Sequence, residues 1–109
     1  ERFTGLVEMY YAAGELAEEL GRAADSSDYQ HECYRQADRC FHTALILART
    51  VVSARQRDPG YLLRCHQRYA SLLEERLAAS PEDLAETSSI LAVLLKEGLA
   101  QFQNAVRPV

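Results

Sequence analysis

Cysteine and histidine side chains recur through the middle of the chain, where they could in principle hold a metal ion. They are His31, Cys33, Cys40, His42, Cys65 and His66. A zinc site needs four such ligands converging on one ion at about 2.0–2.3 Å. On one helix, Cys33 and Cys40 share a face but lie about 10 Å apart, and the adjacent histidines fall on the opposite face. No Cys-x-x-Cys pair occurs. The spacing therefore predicts buried structural thiols and no metal centre.

Other catalytic arrangements find equally little support in the sequence. Di-iron bundles use inward-facing Glu-x-x-His pairs, and the chain contains none. The five glycines are scattered, so they form neither a phosphate-cradling loop nor a strained turn that would present a nucleophile. We therefore expect the chain to be no enzyme and to need no cofactor.

Basic residues give a more informative pattern. Arg35, Arg39, His42 and Arg49 surround Ile46 on the outer face of one predicted helix, and Arg64 and Arg68 share the outer face of the next. One interpretation is a solvated charged face. The other is a groove between two helices that accepts an acidic, amphipathic peptide helix, with an apolar contact at its centre and arginines at its rim. The candidate peptide-binding residues are Arg35, Arg39, Ile46, Arg64 and Arg68.

The elements that must position these residues are all helices. Ala, Leu, Glu and Arg are abundant, β-branched residues are few, and apolar residues recur every three or four positions. The predicted helices cover about 3–24, 29–56, 61–79 and 82–104. Because the connections are short, neighbouring helices must run antiparallel. We predict an all-α, up-down antiparallel helical bundle in one domain over 1–106, followed by a frayed tail at 107–109.

The apolar spacing also predicts which face of each helix is buried. In the first helix the inward stripe is Phe3, Leu6, Tyr10, Ala13, Ala17, Leu20 and Ala24. Gly14 and Gly21 interrupt this helix, and we expect them to allow close approach of a neighbouring helix. In the second helix the buried arc is Cys33, Tyr34, Ala37, Cys40, Phe41, Ala44, Leu45, Leu47, Ala48, Val51 and Val52.

Two breaks carry helix-start signals. Ser27, with Gln30 three residues later, fits a capping box, and Asp28 is an alternative cap. Asp58 can cap the third helix, and Pro59 suits its first position. These signals place the helix starts at the two breaks.

Charge and composition exclude several classes of protein. The formal charge of −4 and the isoelectric point near 5.3 argue against nucleic-acid binding, and no stretch of 18 apolar residues could span a membrane. The odd number of cysteines fits unpaired thiols in a reducing, cytoplasmic setting. Residues 1–32 carry a net charge of −6 and residues 33–76 carry +4, a polarity that would steer an acidic partner to one side.

Three segments resemble microtubule-interacting and transport (MIT) domains. Residues 11–25 resemble the first MIT helix, residues 34–47 the second and residues 67–77 the third. The segment 41–47 is closest to the tandem MIT region of eukaryotic autophagy-initiating kinases. The resemblance implies a three-helix core that binds short motifs, or an adaptor subunit, in a groove between helices. It implies that Arg39, Ile46, Arg64 and Arg68 line that groove.

The fourth predicted helix departs from the MIT pattern. Residues 80–83 carry a cap, a proline and two acids, which together give a strong start signal. It carries two apolar stripes, which is more apolar surface than packing along one seam of a bundle would bury. An alternative hypothesis is therefore a homodimerisation or scaffold domain of a larger regulatory protein, in which two subunits pair through this helix. The helix could also occupy the groove in the same molecule.

Overall fold

The computed structural model describes the backbone of residues 2–79 and of residues 89, 92–94, 96–98, 100 and 103, with side chains from Thr4 to Ala78 and at the later positions. Three helices are continuous: α1 (Arg2–Ala23), α2 (Ser27–Ser53) and α3 (Pro59–Ala79). The described positions from 89 onward are helical as well. Within these described residues no strand occurs, so the fold is an all-α helical bundle, as the sequence predicts.

The chain divides into two compact units, which are described in turn. The first, Glu1–Leu47, holds α1 and most of α2. The second, Ala48–Val109, holds the end of α2, then α3 and the described helical positions beyond it. One domain over residues 1–106 remains a prediction.

In the first unit, α1 and α2 form an antiparallel hairpin. Gly21 meets the Tyr34 ring near the connection, and Gly14 meets the Phe41 ring seven residues further along each helix. The rings of Tyr11 and Phe41 pack with centroids 5.7 Å apart and a tilt of 37°. Seven residues back along α1 therefore correspond to seven residues forward along α2, as in an antiparallel pair. These aromatic contacts fix the register of the two helices.

Glycine is required where these rings meet α1. A Cβ atom at position 14 would lie 2.4 Å from Cε1 of Phe41, and one at position 21 would lie 2.6 Å from Cε1 of Tyr34. Such contacts are far inside van der Waals distance, so the aromatic rings occupy the space that larger side chains would need. The expectation that these glycines allow close helix approach is confirmed.

The predicted inward stripe of α1 is wrong by one residue. The buried positions are Val7, Tyr11, Gly14, Glu18 and Gly21. Of the predicted set, Ala13 and Leu20 are exposed, Leu6, Tyr10, Ala17 and Ala24 are half-buried, and the side chain of Phe3 lies outside the described residues. The physical reason is the close approach to α2: the face that fits against the two rings is the one with glycines, although another face is more hydrophobic.

The start of α2 also differs from the prediction. Oγ of Ser26, and not of Ser27, accepts a hydrogen bond from the backbone N–H of Tyr29 at 3.0 Å, so Ser26 is the N-cap. Gln30 forms no capping box with Ser27. Its Nε2 instead donates to the carbonyl oxygen of Gly21 at 3.0 Å. Gln30 therefore adds a second donor to the carbonyl of Gly21, which also accepts a 3.2 Å hydrogen bond from the backbone N–H of Ala24 just beyond α1.

The buried arc predicted for α2 is confirmed. Cys33, Tyr34, Ala37, Phe41, Ala44, Leu45, Ala48 and Val51 are buried, and Cys40, Leu47 and Val52, at or near its edges, are half-buried. The opposite face carries the exposed arginines. Between Tyr34 and Ala44 small residues alternate with aromatic ones, and this alternation lets α1 approach closely.

In the second unit, α2 ends in a left-handed residue. Arg55 has φ = 58°. Its backbone N–H donates to the carbonyl of Val52, and that of Gln56 donates to the carbonyl of Val51, both at 3.0 Å. This pair of bonds is a Schellman motif, in which the position of Arg55 is usually glycine. The helix therefore ends at Ser53, three residues before the predicted end.

The predicted cap of α3 and its proline at the first position are confirmed, although the helix begins two residues before the predicted bound of 61. Asp58 accepts a hydrogen bond from the backbone N–H of Tyr61 at 3.2 Å through Oδ1, and Pro59 is the first helical residue. The inward face includes Leu62, Cys65, Tyr69 and Leu73, all buried, with Leu72 and Leu77 half-buried. The cap and the apolar periodicity together define this helix.

A later helical position packs against α3. A Cβ atom at Gly98 would lie 2.8 Å from Cδ2 of His66, so glycine allows the imidazole ring to contact the backbone there. Leu94, one turn earlier, is 4% exposed. The predicted start of the fourth helix at residues 80–83 and most of its two apolar stripes lie outside the described residues. These stripe residues are Leu84, Ile90, Leu91, Leu95, Leu99, Phe102 and Val106.

Candidate functional site

The outer face of α2 carries an exposed apolar residue among basic ones. Arg35, Arg39, His42 and Ile46 are separated by steps of four, three and four residues, so they form one stripe along the helix. All four are exposed, and Ile46 has 59% of its surface open to solvent. This arrangement can present one apolar contact within a positively charged strip.

Arg35 is engaged within its own helix. Its Nη1 lies 2.9 Å from Oε2 of Glu32, and Oε1 of the same carboxylate accepts a hydrogen bond from Nε2 of Gln36 at 3.0 Å. Because both charged groups are exposed, this ion pair contributes little to stability. It does offset the charge at the Arg35 end of the strip, and Arg39, His42 and Ile46 make up the rest of it.

The other two candidate residues lie in the second unit. Arg64 is exposed, and its Nη2 lies 3.8 Å from Oδ2 of the N-cap Asp58. Arg68 is half-buried, one turn further along α3. Arg35, Arg39 and Ile46 all belong to the first unit. A single groove lined by both sets therefore remains a prediction.

The thiols and imidazoles do not assemble into a reactive cluster in the part of the chain that the structure describes. Cys33 and Cys65 are buried and Cys40 is half-buried, and no disulfide joins any of the three. No group of three or more His, Cys, Asp or Glu side chains among the described residues could hold a metal ion.

Buried His66 has a structural contact. Its Nδ1 lies 2.9 Å from the carbonyl oxygen of Leu62, one turn earlier on α3. Since a carbonyl only accepts, Nδ1 must carry the proton and donate it. The ring is thereby held against the helix that carries it.

The thiol of Cys33 affects a neighbouring phenol. Its hydrogen bond with Tyr29, and then the repulsion between a thiolate and a phenolate, raise the pKa of Tyr29 above its ordinary value. Because its pKa is raised, Tyr29, which is 52% exposed, presents a neutral hydroxyl at physiological pH.

A concavity of about 600 Å³ lies at the turn between α2 and α3. It is lined by Val52, Ser53, Arg55, Gln56, Arg57, Asp58 and Pro59. The guanidinium carbon of Arg57 lies 5.6 Å from the ring centroid of Tyr61 beside it. These lining residues include neither a histidine nor a cysteine.

Sequence reasoning missed two groups of residues. Glu18, His66 and Arg76 are polar yet buried, and Met9 and Leu16 are large and apolar yet exposed. The glycines of α1 were the available signal for Glu18, Met9 and Leu16, because a face built on Gly14 and Gly21 must also include position 18.

Comparisons with protein families, curated proteins and solved structures find no match for this chain. None of the helices in the described part of the chain is both long and apolar enough to cross a membrane.

Proposed function

We propose that the chain is a noncatalytic protein-interaction module that binds an acidic, amphipathic helical segment along the outer face of α2. The observation that carries this proposal is the exposure of Ile46, a large apolar residue at 59%, two turns from exposed Arg39. Burying such a residue in a partner's apolar face gains free energy, and the surrounding cations select carboxylates.

The chemistry of the strip sets the kind of partner. A helix with apolar residues on one stripe would cover Ile46, and acidic residues on its edges would pair with Arg39 and Arg35. Arg64 and Arg68 are further proposed contacts for a longer partner, either a short motif of a larger protein or an adaptor subunit. Ordering the peptide offsets much of the contact energy, so we expect weak to moderate affinity.

Binding of a synthetic peptide tests the proposal. The probe is an amphipathic helical peptide with leucines at helical spacing and glutamates on both edges, and its affinity is measured by fluorescence anisotropy. Ile46→Ser and Arg39→Glu should each weaken binding about tenfold, because each removes a central contact. Lys96→Glu, the matched charge change at an exposed position in the second unit, should bind like the unmodified chain.

Circular dichroism and melting of each variant confirm that the fold is intact. Unchanged affinity in both Ile46→Ser and Arg39→Glu would show that the outer face of α2 is not the site. If Lys96→Glu lost as much affinity for the peptide as Arg39→Glu, binding would depend only on net charge. This result would also contradict a specific site.

A further inference from the structure

The first helix exposes a second apolar stripe. Met9, Ala13, Leu16 and Leu20 follow one another at steps of four, three and four residues, which places them on one line along α1. Met9 is 54% exposed, Leu16 58% and Leu20 46%. We call these four residues the α1 stripe. It extends over three turns, roughly 17 Å at 1.5 Å per residue.

The α1 stripe lies nearly opposite the face that packs on α2. At 100° per residue the two faces are centred about 150° apart. The hairpin interior uses Tyr11 and the two glycines, so the stripe is not needed for the contact with α2. A helix that is apolar on two faces is typical of one packed between two neighbours. The spacing of the stripe is that of a coiled-coil seam, which fits a second helix lying along it.

Charge along the edges of the stripe is asymmetric. Exposed Glu8 and Glu19 lie along one edge, while Tyr10 and Ala17, both half-buried, lie along the other. Residues 1–32 as a whole carry a net charge of −6. The field at this stripe is therefore negative, opposite in sign to that of the strip around Ile46.

We infer that the α1 stripe docks an amphipathic helix of another protein whose apolar face is bordered by lysine or arginine. Leu16 and Leu20 enter the partner's apolar seam, and the carboxylates of Glu8 and Glu19 attract the basic edge. This partner differs from the acidic segment proposed for α2, so the two inferences stand on different residues and on opposite charges.

A second copy of this chain fits the stripe poorly. In a symmetric antiparallel pair of helices the same edge of each helix meets its counterpart. Glu8 and Glu19 would then face the carboxylates of the other copy, which is a repulsive arrangement. A parallel pair would set the acidic edge against Tyr10 and Ala17, which offer no positive charge. Charge complementarity therefore favours a basic partner.

Two synthetic peptides provide the test. Both are helical, of about 18 residues, with leucines at coiled-coil spacing; one has lysines on its edge positions and the other has glutamates there. The expected result is that the full chain carrying Ile46→Ser, which removes the contact proposed on α2, binds the lysine peptide at least about tenfold more tightly than the glutamate peptide. The double change Leu16→Ser and Leu20→Ser should weaken binding of the lysine peptide by a similar factor.

Matched variants separate this surface from the one on α2. Ile46→Ser should leave binding of the lysine peptide unchanged, whereas Leu16→Ser with Leu20→Ser should leave the response to the glutamate peptide unchanged. When Glu8→Lys and Glu19→Lys are added to the Ile46→Ser variant, the chain should bind the glutamate peptide more tightly than the lysine peptide. Raising the salt concentration should weaken binding of the lysine peptide.

Three results would overturn the inference. The first is failure of the folded chain to bind the lysine peptide, and the second is binding of that peptide that survives the double leucine change. The third is self-association in light scattering that Leu16→Ser with Leu20→Ser abolishes, since a second copy would then be the occupant. Melting of each variant is the control for folding, and these exposed changes should leave it nearly unaltered.

Discussion

The aromatic ring of Phe41 lies directly against the backbone of Gly14, so close that a methyl group there would stand 2.4 Å from Cε1 of the ring. This contact makes the effect of an alanine substitution in α1 depend on position. Gly14→Ala should destabilise the fold by about 1–3 kcal/mol, because overpacking outweighs the gain of roughly 1 kcal/mol in helix propensity. Thermal and urea unfolding measure the difference.

Gly5 provides the control for this prediction. It lies in the same helix, and nothing stands within 4 Å of a Cβ atom built there. Gly5→Ala should therefore stabilise the fold by about 0.5–1 kcal/mol. If Gly14→Ala also stabilised it, the contact with Phe41 would be looser than described.

The left-handed conformation of Arg55 predicts a stabilising substitution. Its φ of 58° is strained for a residue with a Cβ atom and is readily adopted by glycine. Arg55→Gly should raise the free energy of unfolding by about 0.5–1 kcal/mol. Gln56→Gly, at the next residue, should be neutral or destabilising. The opposite ranking in chemical denaturation would contradict the Schellman geometry.

Two adjacent serines at the start of α2 should differ in how much they stabilise the fold. Ser26→Ala removes the acceptor of the Tyr29 N–H and should cost about 1 kcal/mol. Ser27→Ala should cost less, since its hydroxyl makes only a 3.4 Å contact with Nδ1 of His31 at an exposed position. Urea unfolding of the two variants compares these effects, and equal losses would mean that Ser26 is not the cap.

Burial along α2 predicts opposite outcomes for one substitution at two nearby sites. Ala44 is 0% exposed and Ile46 is 59% exposed. Ala44→Asp should unfold the domain, because it buries a carboxylate in an apolar interior. Ile46→Asp should leave melting nearly unchanged. Far-UV circular dichroism checks both, and a folded Ala44→Asp variant would show that this arc is not the core.

How far the sequence predicts the structure is clearest from a comparison of α1 with α2. In α2, apolarity and burial coincide: Phe41 and Ala44 lie in the predicted arc and are fully buried. The same pattern correctly placed Ile46 outside. In α1, hydrophobicity pointed to Leu20, which is 46% exposed. Periodicity gives the direction of a hydrophobic face, but it does not say which of two apolar faces the neighbouring helix will fit.

The candidate site was predictable to the same degree. The outward direction of Arg39 and Ile46 followed from helical spacing, and both are exposed. The pairing of Arg35 with Glu32 was not part of the expectation, although an i, i+3 spacing of opposite charges makes it natural. The α1 stripe could not be found from hydrophobicity, because side-chain volume at the contact with α2 decided which face was buried.

The two glycines of α1 also determine how this helix can turn about its own axis. If α1 rotated by about 150° about its axis, leucine and methionine side chains would face the rings of Tyr34 and Phe41. The buried face would then contain more apolar surface. The backbone at Gly14 and Gly21, which carries no side chain, is where the rings of Phe41 and Tyr34 contact α1. Steric fit at these two glycines therefore disfavours the rotated, more apolar orientation of α1. The leucines of the α1 stripe consequently stay exposed to solvent.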